Sequence, residues 1–286
     1  MPPSHPLQHS EPNRAIVAAV SLLGGLLLIL AFNTIGPIQI PSKAPSAGGE
    51  RTIALDVSRL LVDWSHYRSA NGEMVSHRNP FAIQIPMWLL FTLGLGEIWL
   101  RRRSARIEKS MASLRLLPED DKTLLIPEDM KTIYLQADGL PGKRLLPGMI
   151  RRLGMEFRKS KSVERVNALL DSTLELEMHR IDLKYTFLRY ITWAIPTLGF
   201  IGTVLGIAAA LSFAGSPGAN PESLLQGTTI RMGVAFYTTM LALMMSGILV
   251  LLSSLAQAAE EQVLNDAGRY CLDNLVLRLV EPRHMS

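Results

Sequence analysis

Two apolar stretches carry the residues whose types and spacing could do chemistry. The first reads Trp193-Ala-Ile-Pro-Thr-Leu-Gly-Phe-Ile-Gly-Thr-Val-Leu-Gly-Ile207. On a helix advancing 100° per residue, Pro196, Gly199, Thr203, Gly206 and Ala210 share one narrow face. In the second, Ala235, Thr239, Ala242, Ser246 and Ser253 share a face in the same way. Two readings of these stripes stand open. Gly202-xxx-Gly206 is a small-xxx-small motif and hydroxyls in lipid often bond to the backbone, so the stripes could be packing surfaces. A row of hydroxyls can equally hold water and line a polar pathway. Neither Tyr190 to Ala214 nor Gly233 to Ala256 contains Asp, Glu, Lys or His. Such groups cost roughly 2.5–3.5 kcal/mol to insert at the centre of a span, and they mark ion and proton routes. If these stretches line a pathway, the titrating group must come from another chain.

The rest of the sequence offers no soluble active site. His5, His9, His66, His77, His179 and His284 are scattered without HExxH or any other metal-ligand spacing, so no metal and no cofactor is expected. Cys271 is the single cysteine, which excludes an internal disulfide and any CxxC site. Gly139-Leu-Pro-Gly142-Lys143-Arg144 lacks P-loop spacing and reads as a turn. Glu97 is the one acid inside an apolar stretch. It precedes Arg101 by four residues, the spacing of a helical ion pair that snorkels to the membrane edge.

Positioning these residues requires membrane-spanning helices. Of 286 residues, 48% are hydrophobic and 19% charged, below the roughly 25% charged of an ordinary soluble domain. Mean hydropathy is +0.20. The charges are partitioned rather than spread, which argues against a soluble enzyme and against disorder. Net charge is +4, with a pI near 9.3. Basic residues interleave with Asp and Glu, so a nucleic-acid site is not expected, and excess Lys and Arg instead fixes topology. Four apolar runs have about the 20 residues needed to cross hydrocarbon: Ala15 to Ile35, Phe81 to Leu100, Leu188 to Ala214 and Gly233 to Ala256. The first could also be a secretory signal with Arg14 as its basic flank. Arg101, Arg102, Arg103 and Arg106 place the end of the second run at the cytoplasmic membrane surface. The turn Gly215 to Gly227 has no Lys or Arg.

The expected fold is all-α and polytopic, with about four transmembrane helices, the last two extended as long cytoplasmic helices. Residues 1–35 form a tail and first span, 36–80 a periplasmic loop and 81–100 the second span. Residues 101–187 form a cytoplasmic segment ending in a long helix, 188–256 a hairpin of two spans, and 257–286 a C-terminal cytoplasmic helix. Within these, Pro37 to Gly49 reads as a loop, Ile53 to Tyr67 as a short helix, and Leu116 to Pro147, with its prolines, as irregular with short elements. Apolar spacing from Met149 to Ile181 predicts one helix running into the third span. Spacing from Val263 to Leu279 carries the fourth span on to Pro282.

The run Pro196-Thr-Leu-Gly-Phe-Ile-Gly-Thr-Val-Leu-Gly-Ile207 resembles the P-x-LG-LLGTV-GI signature of the MotA/TolQ/ExbB proton-channel family. Ala235-Phe-Tyr-Thr-Thr-Met-Leu-Ala-Leu243 is similar to that family's A-L-x-T-T-x-x-G-L segment. With the flanking helices the resemblance covers Met149 to Leu279, while the N-terminal third is closer to the four-span MotA arrangement. It implies a homopentamer in the cell inner membrane around single-span partners related to MotB, TolR or ExbD. The partner supplies a membrane aspartate and this chain the lining hydroxyls of Thr203 and Thr239, with Thr238 beside them. Pro196, Gly199, Gly202, Gly206, Ala235, Ala242 and Ser246 make the packing and pore face. Ala242 stands where Gly is common, and Val234 and Tyr237 stand where some relatives carry an acid. Those departures leave proton and sodium both open as the coupling ion. A non-conducting scaffold or receptor is the rival reading, and a solute transporter a weaker third, since no inverted repeat is evident.

Overall fold

A computed structural model describes residues 14–34, 39–43, 52–56, 64–68, 74–78, 83–112, 116–118, 124–138, 144–215 and 220–281. The helices are α1 (Arg14–Thr34), α2 (Gln84–Ala112), α3 (Met130–Asp138), α4 (Leu145–Ser160), α5 (Val163–Ala214) and α6 (Pro221–Asn274). A 3-10 turn, Val276–Arg278, follows α6. Helix dominates, as the apolar runs require. Among the described residues, three helices are long and apolar enough to cross a membrane: α1, α5 and α6. The expected second span lies on α2 but is not among them, because Gln84, Gly94, Gly96 and Glu97 dilute its apolar run.

The segment before α2 corrects two expectations. Pro37 to Gly49 is not simply a loop and Ile53 to Tyr67 is not a helix. Strand β1 (Gln39–Lys43) pairs antiparallel with β2 (Thr52–Asp56), and β3 (Trp64–Arg68) with β4 (Met74–Arg78). β-branched and aromatic residues (Ile53, Trp64, Tyr67, Val75) fit an extended chain better than a helix, and apolar spacing over so short a run fits either period. The tail before Arg14 and the Gly139 to Lys143 turn lie outside the described residues.

The chain divides into two units, residues 1–97 with 187–252 and residues 98–186 with 253–286. In the first unit, α1 packs antiparallel on α2. A side chain at Gly25 would strike Thr92, and one at Gly96 would strike Ser21. Arg14 pairs with Glu97 at 3.6 Å, so the start of α1 and the apolar end of α2 lie at one level. Gly94 of α2 brings its backbone against Leu249 and Ile191 of the two long helices. With 52 and 54 residues, α5 and α6 run about 80 Å each, against roughly 30 Å of hydrocarbon. Each therefore leaves the first unit and continues into the second.

The second unit has its own core, in which Leu146, Ile150, Leu153 and Phe157 of α4 meet Val166 and Leu170 of α5 and Cys271 of α6. The single helix expected from Met149 to Ile181 is broken. Lys161 adopts the left-handed conformation (φ 53°) and donates its N–H to the Phe157 carbonyl at 2.8 Å, closing α4 as a helix cap. The Glu281 carboxylate then accepts the Val163 N–H at 2.8 Å and caps α5. Apolar periodicity misses this break because both helices face the same core. The C-terminal helix also ends early, at Asn274. Beyond it Leu125 and Leu279 form a bridge, and Arg278 donates to the Pro118 carbonyl at 2.7 Å and to Asn274 at 3.1 Å.

Cys271 is fully buried in this core, and burial pushes its thiol up from 9.0 to about 12. The neutral thiol is the form the fold prefers. Its contribution to stability is complete below pH 9 and fades as pH rises from 9 towards 12. Maleimide labelling at pH 8 is therefore expected to be negligible in mild detergent and complete after denaturation.

Candidate functional site

The small residues named from the sequence are where α5 and α6 meet. A Cβ added to Gly199 would strike Ala242 and crowd the Thr238 carbonyl at 3.3 Å. One at Gly202 would sit 2.7 Å from Thr238 Oγ1, and one at Gly206 would sit 3.0 Å from Ala235 Cα. The pairs run 199 to 242, 202 to 238 and 206 to 235, an antiparallel seam in which the two backbones nearly touch. Ala235 and Ala242 are completely buried in it. Packing of this closeness is what small-xxx-small faces provide in lipid, where no hydrophobic force draws helices together.

Into this seam project two threonines. Thr203 Oγ1 hydrogen-bonds Thr239 Oγ1 across the helices. Thr203 also lies 3.2 Å from the Gly199 carbonyl of its own helix and 3.2 Å from the Ala235 carbonyl of α6. Thr239 Oγ1 reaches the Gly199 carbonyl at 3.0 Å. Each hydroxyl has one proton to donate and lone pairs to accept with. The chain Gly199 O, Thr239, Thr203, Ala235 O can thus be ordered in either sense: Thr239 donates to Thr203 and Thr203 to Ala235, or Thr203 donates to Thr239 and Thr239 to Gly199. Both threonines are half-buried. Thr238 is placed differently. It is buried against Gly202 and donates to the Ala235 carbonyl of its own helix at 2.8 Å, so the structure does not bring it into the pair.

Pro196 and Ser246 are joined by a consequence of proline chemistry. Pro196 lies inside α5 and has no N–H, so the carbonyl of Thr192, four residues earlier, loses its helical donor. Ser246 of α6 donates its hydroxyl to that carbonyl at 2.9 Å. An unpaired carbonyl is costly where no water can reach it. Ser246→Ala is therefore expected to cost about 1 kcal/mol, within the range of membrane hydrogen bonds. Unfolding in mixed micelles against wild type measures it.

A further cluster escaped the sequence. In the second unit, Tyr185 of α5 is buried and donates to the Glu260 carboxylate of α6 at 3.3 Å. Burial first, and then the Glu260 charge, hold the Tyr185 phenol well above its ordinary range. Arg101 stacks over the Tyr185 ring, 5.9 Å from its centroid, and donates to the Lys184 carbonyl at 3.5 Å. Arg101 is only 7% exposed, drawn into the second unit by that ring. Its position in a run of arginines gave no sign of this, and only an aromatic partner distant in sequence could have done so. In the first unit, Arg231 stacks on Phe213 at 3.9 Å beside Gly227.

Residues 143–267 match the family model described as the MotA/TolQ/ExbB proton channel family. That segment takes in α4, α5 and most of α6, and with them both threonines, Pro196 and Ser246. No curated protein and no solved structure matches the chain.

Proposed function

Because residues 143–267 match the MotA/TolQ/ExbB proton channel family, we propose that this multi-pass membrane protein is the ring-forming subunit of an ion-driven motor in the inner membrane. Five copies surround single-span partner helices. The chain starts in the cytoplasm, crosses on α1 and α2, and crosses again on α5 and α6. The Arg14–Glu97 pair supports that topology, since it sets the start of α1 and the end of α2 at one level. A carboxylate on the partner takes up a proton from outside, passes the hydroxyl belt and releases it inside. Each charge moving down the potential supplies about 2.3 kcal/mol per 100 mV, several times RT.

The observation that carries this reading is the Thr203–Thr239 pair, half-buried on spans that hold no Asp, Glu, Lys or His of their own. A hydroxyl chain of reversible order can solvate a carboxylate in both its charged and neutral states, which a fixed donor cannot. The rival, a non-conducting scaffold, draws on the same bonds, because each also ties the two helices together.

Reconstitution tests the proposal. The chain is co-expressed with a single-span partner carrying a membrane Asp, and proton entry into proteoliposomes is followed with a pH-sensitive dye. Uptake driven by an imposed negative-inside potential is expected, and it should vanish when the partner Asp becomes Asn. Native mass measurement should give five copies of this chain. A stable monomer with and without partner, or potential-independent dye traces, would refute the motor.

A further inference from the structure

In the second unit, the polar end of α2 and the continuation of α6 enclose a groove of about 470 Å³. Arg102, Arg106 and Lys109 line one wall, spaced i, i+4 and i+7 and so on one helix face. Gln262 and Asp266 stand opposite, and the buried side chains of Ala105 and Val263 form the floor. Three cations thus face one carboxylate. Among the described residues, neither Arg102 nor Lys109 nor Asp266 has an ion-pair partner. Arg103, in the same arginine run, belongs elsewhere, since it stacks on Trp99 at 5.4 Å.

The depth of the groove names its occupant. Arg102 lies about 3 Å beyond Leu100, the last residue of the apolar run on α2, and Arg106 about 9 Å beyond it. The headgroup layer on each side of the hydrocarbon is about 5–7 Å thick. With α2 crossing the membrane as proposed, the upper end of the groove opens at the level of the phosphates in the leaflet that the arginine run faces. Its cations bracket the position a phosphodiester would take, and its small apolar floor admits a glycerol backbone. A free phosphate would gain the charge contacts but leave that floor uncovered. We propose that the groove is a specific site for the headgroup of an anionic phospholipid, bound by Arg102 and by Arg106 reaching back towards it, with Lys109 adding to the field from farther out. The inference rests on the membrane placement of α2 and not on ion conduction, so flux and lipid binding can fail independently.

The test uses the full chain, delipidated in neutral detergent, with phosphatidylglycerol and phosphatidylcholine as probes, bound lipid being counted by intact-complex mass measurement. Phosphatidylglycerol is expected to bind and phosphatidylcholine not to. The double variant Arg102→Gln, Arg106→Gln should weaken binding about thirtyfold, at about fivefold per cation. Asp266→Asn, which removes the one opposing charge, should tighten it. Arg103→Gln should leave it unchanged, with circular dichroism confirming that all variants stay helical. Loss at Arg103→Gln equal to that at Arg102 or Arg106 would overturn the site in favour of a diffuse surface charge. Displacement of the lipid by millimolar glycerol phosphate would overturn it in favour of a soluble anion. Unchanged affinity in Asp266→Asn would overturn the groove as the place where the lipid binds.

Discussion

Thr203→Val and Thr239→Val are each expected to reduce ion flux about a hundredfold, the scale of losing a positioned proton-handling group, while the ring and its partner are recovered as in wild type. Valine keeps the shape of threonine and removes one donor and one acceptor. The structural cost is small, near the roughly 0.6 kcal/mol average for a membrane hydrogen bond. The seam survives because its closeness comes from Gly199, Gly202 and Gly206, not from the hydroxyls. With valine at position 203, Thr239 still bonds the Gly199 carbonyl at 3.0 Å, but the chain to Ala235 is cut. Thr238→Val is the informative contrast. Its hydroxyl serves only its own helix, so flux should persist. Wild-type flux in Thr203→Val and Thr239→Val proteoliposomes containing the partner would eliminate the pathway and leave the seam as packing alone.

The second large effect belongs to Gly206. A side chain there would place Cβ 2.6 Å from Ala235 Cβ, 3.0 Å from Cα and 3.2 Å from the backbone nitrogen. Backbone atoms cannot rotate away as a side chain can, so the helices must part along the seam. Gly206→Val is expected to cost about 3 kcal/mol, the upper end of overpacking penalties, and to abolish assembly. Ala235→Gly in the same chain should recover part of the loss, since it removes the nearest atom but not the backbone behind it. Gly233→Ala and Gly247→Ala serve as controls, for nothing lies within 4 Å of either position. Thermal unfolding followed by size-exclusion chromatography separates the cases. An assembled, stable Gly206→Val ring would show that the two helices do not meet as described.

What the sequence made legible follows from what lipid forbids. In hydrocarbon the chain must satisfy its backbone internally, so long uncharged runs translate directly into α1, α5 and α6, and a stripe of small residues translates into the α5–α6 seam. Where water is the solvent that rule lapses. The Lys161 break was hidden because α4 and α5 both turn Phe157 and Val166 to one core, and the strands before α2 because short apolar runs fit two periods. The burial of Arg101 was hidden for a related reason. Its neighbours Arg102 and Arg106 are exposed, while a ring contributed by Tyr185, 84 positions along the chain, draws Arg101 inward. Ser246 was named as a small residue on a face, but its bond to Thr192 needed the register between two helices.

That bond makes α5 a rod with a missing rung whose replacement is held by its neighbour. A one-turn slide of α6 along α5 would carry Ser246 about 5.4 Å away and strand the Thr192 carbonyl in hydrocarbon. No donor at Pro196 can replace Ser246, because proline has no N–H. Bending at the proline and sliding along the seam are therefore coupled through this one hydrogen bond. A displacement of either helix near Pro196 is thus felt by the other, up to about 1 kcal/mol, the worth of this bond.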